Sequence, residues 1–280
     1  MVSNTRVIGE SRGFPESPRW HGGKIWFTLS RQIMTCGLDG DMKTVAELDG
    51  PIVLGIAFFD DGSFLTANAI QRHLYRIYPD GTRNLFADLS GEVPDIVNES
   101  VIAPNGSVYV GTVGFNLLQG ESARPSRLVR IAPSGSVSRV GPEMTMPNGM
   151  VISEDKSILY VAESFGAKIT ALAVHSDGSL EPHHTVADLS GRDVSHPDGI
   201  AVDRDGSIFY ADVEAGLVVH IGADGAELER FSAILPHATS CALGGEDGRT
   251  LFVTATERMA SPGAEQTQRS AIVAIDLPKR

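Results

Sequence analysis

Basic side chains are in short supply. Lys and Arg total 23 against 35 Asp and Glu, a formal net charge of −12. No basic stripe for nucleic acid is expected, and an anionic membrane surface would repel the chain. Cysteine is nearly absent. Cys36 and Cys241 lie far apart, and no CxxC or zinc-type spacing exists. Two buried thiols in a reducing compartment are expected rather than a disulfide. Long apolar runs are missing: nothing approaches the roughly 20 residues of a membrane span. The N-terminal MVSNTRVIGE is polar and lacks the apolar core of a signal peptide. A cytoplasmic protein without nucleic-acid or membrane partners is expected, as a monomer or weak homo-oligomer acting on a small molecule.

Long helix-forming stretches are missing too. What is there instead is turn chemistry: 30 Gly and 15 Pro spread along 280 residues. Short β-branched and aromatic runs alternate with Gly/Asp/Asn turns, an all-β pattern. A chain this long buries roughly three quarters of its unfolded surface, so it needs no staple merely to fold. The turns HGGKIWF, DDGSFLTA, PNGSVYVG, EDKSILYVA, RDGSIFYA and EDGRTLFVTA form six copies of one motif. Their spacing of about 40 to 50 residues is that of a four-stranded propeller blade. Second hairpin signals follow, as in HLYRIYPDG, RLVRIAPSG and VVHIGADG. The expectation is a single domain over residues 1–280, a six-bladed β-propeller of four-stranded blades. The N-terminal TRVIGES (Thr5 to Ser11) is expected to close it by joining the blade that ends in SAIVAIDL (Ser270 to Leu277). Two longer irregular stretches, Gly114 to Ser126 and Glu257 to Gln268, read as loops that either cap a pocket or connect strands in solvent.

About seven residues before each turn, the first strand of each copy begins. The residues there are Glu16, Leu54, Asn98, Asn148, Asp198 and Ser240. Equivalent positions of stacked repeats share a face, so these six should ring one mouth of the central channel. Four carry carboxylate or amide oxygens suited to a hard cation. Glu16, Asn98, Asn148 and Asp198 are therefore the candidate ligands of one divalent cation. The donor type suits Ca²⁺ first, then Mg²⁺ or Mn²⁺, with Zn²⁺ the poorest match. Two carboxylates about 4 Å apart repel by about 4 kcal/mol at an effective dielectric near 20, which a cation would relieve. Amides add ligands without adding repulsion. PNG and PDG are also ordinary turn sequences, but turn chemistry does not explain Glu16 or the common register.

Four dispersed segments, ESPRW (Glu16 to Trp20), PNGMVIS (Pro147 to Ser153), PDGIAVD (Pro197 to Asp203) and TSCALGG (Thr239 to Gly245), resemble the signatures of a known family. It is the senescence marker protein/gluconolactonase/luciferin-regenerating enzyme family, and the resemblance runs through almost the whole chain. It implies a six-bladed propeller, a divalent metal, often calcium, at the channel mouth, and hydrolysis of lactones or related esters. Glu16, Asn148 and Asp198 match the family's metal ligands. Asn98 matches the Asn beside metal and substrate, itself a ligand in the related phosphotriesterases. Sugar-lactone members carry Arg two residues before that Asn and Asp after it. Here DIVNES puts Ile96 and Glu99 there, which implies a less polar substrate than a sugar lactone.

The expected chemistry is metal-assisted opening of a lactone, with Asp198 as ligand and either base or nucleophile. Asn98, Phe115, Asn116, His196 and His237 are the candidate substrate contacts. His183 and His184 fall on a blade edge and carry no expected chemistry. No GxSxG elbow or phosphate-binding loop exists. The rival readings are a phosphotriesterase-like hydrolase on the same ring and a propeller that binds a ligand without catalysis.

Overall fold

The structure is a computed structural model that describes residues 4–191, 195–259 and 267–278. Among these the chain forms twenty-four strands and a single short 3₁₀ turn, Leu117–Gln119. The strands pair into six antiparallel sheets of four. Each sheet is a blade: residues 15–47, 53–88, 97–144, 147–188 and 197–232 make blades 1 to 5. Blade 6 combines 237–256 and 269–276 with the N-terminal strand. Thr5–Arg12 pairs with Arg269–Asp276 as its outermost strand, so closure joins the two ends of the chain as expected. The irregular stretch from Glu257 to Gln268 lies largely, at 260–266, outside the described residues.

The repeated turns explain why the strands reverse where they do. Asp61, Asn105, Asp155, Asp205 and Asp247 each accept a hydrogen bond from the backbone N–H two residues on. This side-chain turn stands in for a backbone one. The residue between takes positive φ: Gly62, Gly106, Gly206 and Gly248 in four copies, but Lys156 (φ 65°) in blade 4.

The core is divided. Six apolar clusters each join one blade to the next: Ile33 with Phe64, Leu65 with Val108, Tyr109 with Leu159, Ile169 with Tyr210, Phe209 with Val253, and Phe252 with Phe27. Burial between blades therefore holds the circle, with no single centre. The innermost strands, Pro15–His21, Val53–Phe58, Val97–Ile102, Pro147–Ile152, Pro197–Val202 and His237–Gly244, touch one another in cyclic order around the channel. No helix among the described residues is long and apolar enough to cross a membrane. Cys36 and Cys241 are free and buried, and burial pushes the Cys36 thiol up to about 11 and the Cys241 thiol higher still.

Candidate active site at the channel mouth

Every innermost strand breaks register with its neighbour near the same point. The shifts fall between Glu16 and Arg19, Leu54 and Ala57, Val97 and Ser100, Pro147 and Met150, Pro197 and Ile200, and Ala238 and Ser240. A bulge of this kind re-aims a side chain. Asn98, Asn148 and Asp198 sit inside their bulges, and Glu16 and Leu54 at the edge of theirs. The Gly that follows Asn148 and Asp198 is not a turn residue. A Cβ on Gly149 would overlap the Asp198 carbonyl, and one on Gly199 would overlap Ser240. Neighbouring innermost strands approach so closely at the ring that only Gly fits.

The ring is also stitched by hydrogen bonds between blades. Gly55 N–H donates to Ser17 Oγ at 2.9 Å, Ser164 Oγ to Pro197 O at 2.8 Å, and Thr239 Oγ1 to Pro15 O at 2.6 Å. The two amides are anchored as well, Asn98 across blades and Asn148 within blade 4. Asn98 Nδ2 donates to Pro147 O at 3.3 Å, and Asn148 Nδ2 donates to Ser164 Oγ at 3.2 Å. Their nitrogens are committed to the framework, which leaves each oxygen free to face the channel. Glu16 Oε2 accepts from the Ser17 N–H at 2.6 Å. Ser17 reaches that position at φ 55°, a left-handed conformation uncommon for a residue with a Cβ.

A cavity of about 120 Å³ opens onto this ring. Its floor carries Glu16, Ser17, Asn98, Glu99, Asn148 and Asp198. All six are less than a tenth exposed. Asp198 Oδ1, Glu99 Oε1 and Ser240 Oγ are buried with no hydrogen-bond partner among the described residues. Burial raises the pKa of Glu16 well above the usual carboxylate range, and the charges of Asp198 and Glu99 add to it. Asp198 is raised in the same direction by burial and then by Glu99. Orphaned buried carboxylate oxygens with this much mutual repulsion fit an oxygen-preferring cation. Among the described residues no three His, Cys, Asp or Glu side chains converge to hold an ion by themselves. The two amides have to complete any ligand set.

The remaining sequence candidates lie elsewhere. Phe115 is 2% exposed and packs behind the cavity wall against Ile96 and Val113. Asn116 caps the 3₁₀ turn, its Oδ1 accepting from Gln119 N–H at 3.2 Å. His196 stands at the rim beside Phe165, ring centroids 5.1 Å apart, with Glu214 3.7 Å from its Nδ1. His237 meets the Val213 carbonyl at 3.1 Å through Nδ1. None of these four lines the cavity.

What lines it instead includes a second circle of residues, two positions upstream of the ring: Phe14, Ile52, Ile96 and Met146. Each of the four lies immediately before its innermost strand begins, so the circle is defined by a common offset from the ring. Only Ile96 was legible as a departure. Leu117 and Leu118 of the loop after blade 3's second strand complete the wall, so that loop does reach the pocket. A residue pair the sequence did not reveal is Arg19 and Glu99. Arg19 from blade 1 donates to Glu99 Oε2 at 2.5 Å from below the floor.

Residues 14–257 match the family model described as the SMP-30/gluconolactonase/LRE-like region. The chain belongs to this family. Within the SMP-30/gluconolactonase/LRE-like family, it is similar to a pentonolactonase of Haloferax volcanii, 28% identical over 95% of this chain and 91% of that one. It is similar to an L-arabinolactonase of Azospirillum brasilense, 26% identical over 91% and 83%. Among solved structures it shares its fold with regucalcin of Agrobacterium tumefaciens, described as a calcium-binding protein. The TM-score is 0.76 at 21% identity, covering 99% of this chain and 96% of that one.

Proposed function

We propose that this protein is a divalent-cation-dependent lactonase whose substrate is less polar than a sugar lactone. The observation that carries the proposal is the ring itself. Glu16 and two amides anchored through their nitrogens share the floor of a cavity with Asp198, whose buried Oδ1 has no hydrogen-bond partner among the described residues. Membership of the family and the lactonase names of its relatives support the reaction class.

Glu16, Asn98, Asn148 and Asp198 would hold the cation, with Ca²⁺ preferred because every donor is oxygen. The calcium-binding description of the regucalcin neighbour supports the same choice. Bound there, the ion would supply Lewis acidity toward the ester carbonyl and the oxyanion formed on attack. The chain's own groups do the rest. Water adds across the acyl C–O bond: its oxygen joins the carbonyl carbon and the ring C–O bond breaks. Asp198 takes the water's proton and passes it to the departing alkoxide, leaving a hydroxy acid. Glu16 and the two amides hold Asp198's surroundings in place, and the apolar wall keeps bulk water from the carbonyl. The two free, buried thiols support a cytoplasmic setting.

The test is to strip the protein with a chelator and assay lactones and a phosphotriester while returning Ca²⁺, Mg²⁺, Mn²⁺ or Zn²⁺ singly. Lactone hydrolysis that vanishes and returns with a hard cation is expected. Chelator-resistant lactone hydrolysis would remove the ring from the chemistry, and hydrolysis of the phosphotriester alone would replace the lactonase reading.

A further inference from the structure

Six of the seven apolar clusters lie between consecutive blades and are accounted for by folding. The seventh is not. It gathers Ala69, Ile96, Val113 and Phe115 with Ile52, Leu54, Leu117 and Met146, from blades 2 and 3 and the entry to blade 4. All but Phe115 line the cavity above the oxygen ring. The cluster therefore forms a wall, and the wall has a direction. The carboxylates Glu16 and Asp198 come from blades 1 and 5, which flank blade 6. The aliphatic surface rises on the other side of the channel.

Charge on the cavity lining is equally one-sided. The charged groups that line it among the described residues are Glu16, Glu99 and Asp198, and no described Lys or Arg side chain does so. Arg19 approaches from beneath and is engaged by Glu99. Above the floor, the lining is hydrocarbon and thioether: Phe14, Ile70, Leu118 and Met259 extend the cluster toward the opening. A polyhydroxylated ring would leave its hydroxyls unpaired against this wall, which is costly. An anionic substituent lying along this wall would meet no basic side chain among the described residues. Backbone strain sits here as well: Met146 is held at φ 57° with its side chain in the lining.

We infer that the site selects a neutral lactone carrying an aliphatic substituent. Its carbonyl faces Glu16 and Asp198, and its hydrocarbon lies along Ile52, Ile96, Met146, Leu117 and Leu118. Ile96 and Leu118 determine that selectivity. Ile96 is 8% exposed in the middle of the wall, and Leu118 is 39% exposed at its lip. Leu118 is thus available to close over the end of a longer chain. This inference rests on the lactonase proposal and adds the substrate class and its orientation.

The experiment uses the calcium-loaded protein and a homologous series of γ-lactones from methyl to octyl side chains, with a pentono-γ-lactone beside them. Each buried methylene is expected to raise kcat/KM about fourfold until the wall is covered. Unreactive γ-lactams with the same side chains, titrated calorimetrically, should show affinity rising along the series with an increasingly negative heat-capacity change. Ile96→Arg should flatten the series and improve the pentonolactone. Leu118→Ser, at an exposed position that does not threaten folding, should lower only the longer members. A flat or falling series with the pentonolactone preferred would overturn the inference and leave the lactonase proposal standing. Failure of every lactone, with the calcium-loaded protein folded, would overturn both.

Discussion

Arg19 and Glu99 form an ion pair across blades 1 and 3, with the guanidinium nitrogen 2.5 Å from Glu99 Oε2. Glu99 is 2% exposed, and its other oxygen has no partner among the described residues. The pair therefore sets a third carboxylate beside Glu16 and Asp198 and compensates only one side of it. Removing the Arg19 guanidinium should leave an unpaired buried charge. Arg19→Met is expected to destabilise folding by about 3 kcal/mol, and Arg19→Met with Glu99→Met to recover most of the loss. Denaturant unfolding of the three proteins measures this; equal stability of wild type and the single variant would show the pair to be inert.

The raised pKa values of Glu16 and Asp198 make a prediction about pH. In the metal-free protein both groups hold their protons more tightly folded than unfolded, chiefly because they are buried. Stability from these groups is fully present below the ordinary carboxylate pKa of about 4 and falls as pH rises above it. The metal-free protein should thus lose melting temperature between mildly acid and neutral pH. Added Ca²⁺ should restore it at neutral pH and do little near pH 4 or so. Thermal unfolding with and without chelator across that range decides it. Parallel curves would mean that no cation binds the ring.

Asp198→Asn keeps an oxygen at the ring while removing the proton acceptor. Turnover on the best lactone should fall by at least about 100-fold. Calcium affinity, read by calorimetry, should weaken because a full charge is lost, while the unfolding midpoint of the metal-free protein should rise as repulsion is relieved. Unchanged kcat would take Asp198 out of the proton-transfer role.

Gly199→Ala should be among the most damaging small substitutions, since its Cβ has no space beside Ser240. A loss of about 3 kcal/mol or more, or failure to fold, is expected. Gly91→Ala is the control: nothing lies within 4 Å of its added Cβ. Its stability should change by no more than about 0.5 kcal/mol. Equal effects at the two positions would contradict the close approach of strands at the ring.

By itself the sequence determined the blade count, the closing strand and the shared register that brings Glu16, Leu54, Asn98, Asn148 and Asp198, though not Ser240, to the cavity. Each is a local pattern repeated at a fixed period, and stacking of equivalent repeats turns equal register into a shared face. Glu16, Asn98, Asn148 and Asp198 were legible for that reason. Tertiary structure decided the rest. The Gly of PNG and PDG reads locally as a turn. It is required instead by the approach of the next blade, about fifty residues away in sequence. Phe115, Asn116, His196 and His237 are near the mouth in sequence register. Whether a side chain enters the cavity depends on loop conformation, which carries no period. The Arg19–Glu99 pair joins residues 80 apart, and no spacing rule connects them. The apolar wall arises only when residues two positions above the ring in blades 1 to 4 meet a loop from blade 3. Periodicity specifies which residues are equivalent. Only the closed circle specifies which of them touch.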